Sequence, residues 1–266
     1  MIPTATGRIA TTFADLKRRG KGGLVAYVTA GDPGPSTSAQ IIVALAEGGA
    51  DVIEVGVPFS DPLADGPVIQ RATERALAAG MTLRGVLDIV QLVRTKIDTP
   101  IVLFTYANPV LRMGAEAFVA AAQGAGADGV LMLDYPVEEA EPLRTSLIEA
   151  DLDPIFLLSP TTSDERVRRS SQMGRGFLYV ISRLGVTGQR DEMAPEATAL
   201  LERIRRHSDL PLALGFGISR PEHVAAACRG ADAAVVGSAI VNLIAEKGHD
   251  APDAVREYVG WLKSAL

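Results

Sequence analysis

A glutamate stands inside a short apolar run, Val52-Ile53-Glu54-Val55-Gly56-Val57. Burying a carboxylate between β-branched side chains is costly unless it is paired or protonated. Desolvation raises the pKa of such a group, which suits it to give and take a proton near neutral pH. The alternative is an interior glutamate held by a neighbouring donor. The stretch that follows, Val57 to Pro67, is a loop with three prolines and two aspartates. Prolines lower the entropy of ordering such a loop. Asp65, on its far side, offers a second carboxylate opposite Glu54. Two carboxylates in different environments can divide acid and base work. Turn chemistry or helix capping explains Asp61 and Asp65 equally well from pattern alone.

Two glycine motifs have the character of a phosphate site. Leu214-Gly215-Phe216-Gly217-Ile218-Ser219 follows one apolar run, and Val236-Gly237-Ser238-Ala239 follows the next and opens a helix. Glycine lets the backbone approach an anion, and helix N-terminal amides stabilise it without any Lys or Arg. Each motif alone is common in turns; the pair is more specific. A further loop, Ser182 to Gln189, brackets Val186-Thr187 with Gly185 and Gly188. It reads as a hinged lid whose Thr187 hydroxyl holds a carboxylate, or as a plain mobile loop.

Other chemistries are disfavoured. His207, His223 and His249 have no Cys, Asp or Glu at metal-ligand spacing, so no metal site is expected. Lys21 and Lys96 do not sit at strand ends, where an imine-forming lysine would be wanted. Aromatic residues are 5% and are not interleaved with basic ones, which speaks against nucleic-acid stacking. The formal charge of −6 points the same way.

These groups need a scaffold, and the apolar pattern supplies one. Short apolar runs occur at Leu24–Ala30, Asp51–Val57, Ile101–Tyr106, Gly129–Leu133, Pro154–Leu158, Phe177–Ile181, Leu212–Gly215 and Ala233–Val236. They are continuous rather than alternating, as expected of parallel strands covered on both faces. Helical periodicity fills the gaps at Thr37–Glu47, after a possible cap at Ser36, and at Val68–Ala79 and Leu83–Lys96. It continues at Glu116–Gln123, Glu138–Ala150, Asp164–Gln172, Pro195–His207 and Pro221–Cys228. Alternating strand and helix predict parallel βαβ units with right-handed crossovers. The fold class is therefore α/β, a single (β/α)8 TIM barrel over residues 1–266. Ile9–Arg19 is an extra N-terminal helix closing its bottom, and Ala251–Leu266 the last outer helix. Barrel active sites lie at the C-terminal strand ends, often with phosphate after strands seven and eight. That is where the carboxylates and glycine motifs fall.

An open doubly wound sheet is the alternative fold. It wants a glycine-rich first turn to hold a nucleotide. Here that turn, Ala30 to Pro35, carries two prolines that remove backbone donors. Three echoes, Gly49-Ala50-Asp51, Gly126-Ala127-Asp128 and Gly230-Ala231-Asp232, each precede an apolar run. They mark helix-ending glycines and strand starts, hence architecture rather than catalysis.

Composition sets the broad class. The 266 residues are 47% apolar and 22% charged, ordinary for a soluble domain. Cys228 is the single cysteine, which excludes an internal disulfide and suits a reducing compartment; a buried structural thiol is expected. The opening residues lack the basic and apolar regions of a signal peptide, and no run reaches the ~18–20 apolar residues of a membrane span. A cytoplasmic protein is expected.

The order of motifs resembles the tryptophan synthase α chain family. The likeness begins with Tyr27-Val28-Thr29-Ala30-Gly31-Asp32-Pro33 and is most specific in Glu54 to Pro67. It continues through Tyr106-Ala107-Asn108-Pro109, Asp134-Tyr135-Pro136, Ser159-Pro160-Thr161-Thr162 and Ser182 to Gly188. It ends with Gly215 to Ser219 and Gly237-Ser238-Ala239-Ile240-Val241. The resemblance implies retro-aldol cleavage of indole-3-glycerol phosphate to indole and glyceraldehyde 3-phosphate. It makes Glu54 the general acid–base and Asp65 the acceptor of the indole N–H. It makes Tyr27, Tyr106, Tyr179 and Phe216 substrate contacts, gives the phosphate to Gly188, Gly217, Gly237 and Ser238, and has Thr187 order Asp65. It also implies an α2β2 assembly with a β chain that carries pyridoxal phosphate, with no cofactor in this chain. Asp61 and Pro62, with Asn108 and Pro109 in the segment Asn108–Leu111, are the implied contacts. Tyr27 departs from the phenylalanine often found in the family, and its hydroxyl needs a partner. Three other readings remain open: a free-standing lyase, a barrel that only binds phosphate ligands or activates a partner, and another phosphate-binding barrel isomerase of the same pathway, against which the long Glu54 to Pro67 stretch argues.

Overall fold

A computed structural model describes residues 7–181, 195–215 and 217–266. Eight parallel strands close in sequence order into one barrel: β1 (Gly23–Thr29), β2 (Val52–Gly56), β3 (Ile101–Thr105), β4 (Gly129–Met132), β5 (Asp153–Leu158), β6 (Leu178–Ile181), β7 (Leu212–Gly215) and β8 (Ala233–Val236). β1 pairs with both β2 and β8, so no edge is left open. All eight predicted strands are present, shifted by a residue or so at their ends.

Helices cover the outside: α1 (Arg8–Arg18), α2 (Pro35–Glu47), α3 (Pro67–Ala78), α4 (Leu83–Arg94), α5 (Ala107–Met113), α6 (Ala115–Ala125), α7 (Glu141–Glu149), α8 (Asp164–Met173), α9 (Pro195–Arg205), α10 (Pro221–Cys228), α11 (Ser238–Lys247) and α12 (Ala251–Lys263). Beyond shifts of one to three residues at other helix ends, three details differ from the sequence reading. Ser36 does not cap α2: the helix starts at Pro35 behind Gly34, with no side-chain cap. Proline at the first position has no amide to satisfy and a helical φ already set. α7 starts at Glu141 rather than Glu138, again with proline in its first turn. α5, only seven residues long, was not foreseen because it shows barely two turns of periodicity.

The bottom of the barrel is filled by α1. Its Ile9, Phe13 and Leu16 pack with Val25, Val52, Val102, Leu131, Ile155, Phe177 and Ala213 in one buried cluster. A narrow apolar stripe thus meets the first inward-facing layer of the strands. The larger apolar cluster lies between the strands and the outer helices.

The three glycine–alanine–aspartate echoes are structural, as expected. Gly49 (φ +97) and Gly126 (φ +83) are left-handed, whereas Gly230 is not. The aspartates matter more. Asp51 accepts the Leu24 amide at 2.7 Å, Asp128 the Ile101 amide at 2.8 Å and Asp232 the Leu212 amide at 2.7 Å. Each ties the start of one strand to the next and also meets a cation: Lys263, Arg94 and Arg205 respectively. Cys228 is largely buried against Gly23, and burial pushes its thiol up to about 12, consistent with a structural role.

Candidate active site

Strand alternation brings every second residue inward. Two residues above the layer that meets α1, the strands present Tyr27, Glu54, Phe104, Leu133, Leu157, Tyr179 and Gly215. All of these except Glu54 line a cavity of about 490 Å³ at the C-terminal strand ends. Asp65, Gly66 and Pro67 from the β2–α3 loop form one side. Gly217 and Ser219 after β7, and Gly237, Ser238 and Asn242 at the start of α11, form another. The two glycine motifs and the aspartate loop therefore meet over one chamber.

Glu54 lies just below that chamber. It is 0% exposed, and neither carboxylate oxygen has a hydrogen-bond partner. Burial alone raises its pKa to about 8. Among the described residues, the donor that an ordinary interior glutamate would require is not present. Its charge acts on Tyr27 and Tyr179, both of which face the cavity. Asp65 is half-buried. Burial raises it to about 6, opposed by a hydrogen bond from the Tyr106 hydroxyl. The two carboxylates thus sit in different environments, one apolar and sealed, one hydrogen-bonded and partly open.

The tyrosines are placed by glycines. The Tyr27 hydroxyl lies above Gly56 on the neighbouring strand; a Cβ there would come within 2.3 Å of it. The Tyr179 hydroxyl lies above Gly215 in the same way, at 2.8 Å from such a Cβ. Tyr27 pairs its hydroxyl with Thr29 Oγ1 at 3.3 Å and meets Phe104 edge-on, with ring centroids 5.0 Å apart. Burial raises both phenols, so both remain neutral hydroxyls.

Tyr106 is placed differently from the expectation of direct substrate contact. It is buried behind the loop, not on the cavity wall. Its hydroxyl accepts the Ala64 amide at 3.1 Å and bonds Asp65, and its ring lies 5.3 Å from that of Phe59. It also joins the β2–α3 loop to the segment that opens α5. Asp61 and Asn108 are exposed and Pro62 and Pro109 half-buried on that joined outer surface, beside Leu63 (94% exposed) and Leu111 (63% exposed). Thr187, Gly188 and Phe216 lie outside the described residues.

Several wall residues were not singled out from sequence. Phe104, Leu133 and Leu157 follow the inward alternation and could have been found by counting two from each strand's lower layer. Asn242 stands one helical turn after Ser238, and that spacing was its signal. Among the described residues, no three His, Cys, Asp or Glu side chains gather as a metal site. No single described helix is long and apolar enough to cross a membrane.

The sequence matches the family model for the tryptophan synthase alpha chain over residues 13–263. It is 48% identical over 264 residues to the tryptophan synthase alpha chain of Methanoregula boonei, covering 97% of this chain and 98% of that one. Identity to the Burkholderia thailandensis alpha chain is 47% over 261 residues, covering 97% and 96%. The fold matches the crystal structure of tryptophan synthase subunit alpha from Legionella pneumophila with a TM-score of 0.91 at 39% identity, covering 98% of each chain. It also matches a chain of the tryptophan synthase complex of Pyrococcus furiosus, with a TM-score of 0.83 at 40% identity, covering 91% of this chain and 97% of that one. With the barrel, the buried glutamate and the paired glycine loops in the same frame, this chain belongs to the tryptophan synthase alpha chain family.

Proposed function

We propose that this chain is the α subunit of tryptophan synthase, a lyase that cleaves indole-3-glycerol phosphate to indole and glyceraldehyde 3-phosphate. The observation that carries the reading is Glu54: a fully buried carboxyl group without a partner among the described residues, beside a chamber whose far wall holds Asp65. At neutral pH its raised pKa leaves it mostly protonated, so it can donate to C3 of the indole ring. Asp65 is mostly ionised and accepts the indole N–H, stabilising positive charge on the ring as it develops. The carbon–carbon bond then breaks, its electrons returning to the ring. The side-chain hydroxyl gives its proton to the Glu54 carboxylate and becomes the aldehyde, so Glu54 ends as it began. Stabilisation that grows toward the transition state is what lowers the barrier.

Tyr27, Phe104 and Tyr179 enclose the ring. Gly217, Gly237 and Ser238 receive the phosphate through backbone amides and the α11 N-terminus. Tyr106 holds Asp65 rather than the substrate. Thr187, Gly188 and Phe216 complete the site by family resemblance.

The partner is the β chain in an α2β2 assembly, and pyridoxal phosphate belongs to that chain. Asp61, Pro62 and the segment Asn108–Leu111 form the docking surface, to which we add exposed Leu63. The cytoplasm is the compartment that fits a biosynthetic enzyme with a single thiol. The test is indole release from indole-3-glycerol phosphate by the purified chain, alone and with a β chain, beside Glu54→Gln and Asp65→Asn. Weak release alone, a rise with the partner and loss in both variants is the expected pattern. No indole under any condition would replace the lyase with a binding or regulatory barrel.

A further inference from the structure

We infer that Tyr27 determines specificity: its hydroxyl is a polar handle for a hydrogen-bonding substituent on the aromatic ring of the substrate. The inference rests on the lyase reading of the same site and adds a preference among ring-substituted substrates.

The strand residues that line the chamber are mostly apolar, Phe104, Leu133, Leu157 and Ile181 among them, with Tyr179 the second phenol beside Tyr27. A hydroxyl in such a wall is costly unless it has a use or a partner. The sequence makes specific room for this one. Gly56 leaves the niche in which it sits, since any Cβ would meet three atoms of the tyrosine within 3 Å. Phe104 fixes the ring edge-on, at an interplanar angle of 70°. Among the described residues, the one hydrogen bond it makes, to buried Thr29, is long at 3.3 Å. A phenol hydroxyl offers one donor and two acceptor sites, so this contact leaves capacity unused. Burial first, and then the nearby Asp65 and Glu54 carboxyl groups, keep the phenol neutral, so it retains a proton to donate.

An unsubstituted indole ring leaves the Tyr27–Thr29 pair as it is and loses little. A ring hydroxyl on the side of Tyr27 gains a shorter bond in a dry site, where buried polar groups discriminate most strongly. A methyl group at the same ring position fills similar space and gains nothing.

The experiment runs the reaction in the condensing direction, from glyceraldehyde 3-phosphate and a panel of indoles. The panel holds indole, the carbocycle-hydroxylated indoles and the matching methylindoles. The reading is kcat/KM for each analogue divided by that for indole, so a loss common to all substrates cancels. Tyr27→Phe is expected to lower the ratio of the best hydroxyindole roughly 5-fold and to leave the methylindole ratios in place. Thr29→Val, which frees the Tyr27 hydroxyl, is expected to keep or raise the hydroxyindole ratio. An unchanged hydroxyindole ratio in Tyr27→Phe would overturn the inference, and so would a parallel fall in the methylindole ratio. If the unmodified chain condenses no indole at all, the lyase reading itself falls, a result distinct from either.

Discussion

Tyr27 and Glu54 are direct register partners on β1 and β2, yet they share no hydrogen bond: the hydroxyl leans to Thr29 and the carboxyl group has no partner among the described residues. The strand ladder thus sets an acid beside an aromatic wall and withholds the donor that would fix it as an anion. The acid remains neutral until substrate chemistry takes its proton.

The first expectation concerns pH and rate. Cleavage needs Asp65 ionised and Glu54 protonated. The profile of kcat/KM should therefore be a bell, rising through about 6 and falling through about 8. Glu54→Gln should lower kcat by on the order of 100- to 10,000-fold. A profile still rising above pH 9 would remove Glu54 from the role of acid.

Stability should respond in the opposite sense to Glu54→Gln. The folded-state pKa of Glu54 is raised, to about 8 from 4.5. The folded chain therefore holds this proton where the unfolded chain has lost it. Stability falls as pH rises from about 4.5 to about 8 and levels beyond, because charging the buried group costs about 1.4 kcal/mol for each unit. Gln carries no such charge. Its melting temperature should match the parent near pH 5 and exceed it by several degrees at pH 8. Calorimetry at the two values decides this, and equal shifts at both would count against burial of the charge.

Gly56 should tolerate no side chain. An added Cβ would fall 2.3 Å from the Tyr27 hydroxyl and 2.7 Å from its Cζ. Overpacking of this kind costs roughly 1–3 kcal/mol. Gly56→Ala should lose that much in urea unfolding, and Tyr27→Leu in the same chain should recover part of it. Additive losses in the double variant would show that the two residues are not in conflict.

Arg75 and Asp32 form a two-pronged ion pair, at 2.8 and 2.7 Å, between the β1–α2 loop and α3. Asp32 is buried, whereas Arg75 is partly exposed. Removing the arginine strands a buried carboxylate, and removing the aspartate leaves a cation that can reach water. Arg75→Ala should therefore cost more than Asp32→Ala, by roughly 1 kcal/mol. Equilibrium unfolding of both variants measures the order.

Leu63→Glu should weaken β-chain docking, because a charge would enter the exposed apolar end of the joined surface around Tyr106. The expected result is a fall of about tenfold in the ratio of rates with and without the β chain. A loss of about 1.4 kcal/mol in association corresponds to that factor. An unaltered ratio would move the docking surface elsewhere.

The barrel was legible because its signal is periodic and repeated. Eight apolar runs, each followed by helical spacing, leave few other folds, and the glycine motifs fell where barrels hold phosphate. Glu54 and Asp65 were visible because a charge inside an apolar run, and a proline-stiffened acidic loop, are locally unusual. Tyr106 was harder. Its position behind Asp65 depends on how the β2–α3 loop folds back over β3, a long-range fact with no local mark. Asn242 and Leu157 were missed because ordinary residues acquire a site only from the neighbours the fold gives them. α5 was missed because proline and short length hide a helix from periodicity.

The plug formed by α1 also sets an order in time. Ile9, Phe13 and Leu16 leave the ribosome before any strand, but the surface they fill includes Phe177, Ala213 and Val235. That surface exists only once β8 has joined β1. A helix made before every strand of the barrel is thus among the last to be seated, and until then its apolar stripe has only incomplete or non-native partners. Closure of the ring and docking of its stopper become a single late event, so a nascent chain halted before β8 would carry the stripe exposed to whatever binds unfolded chains.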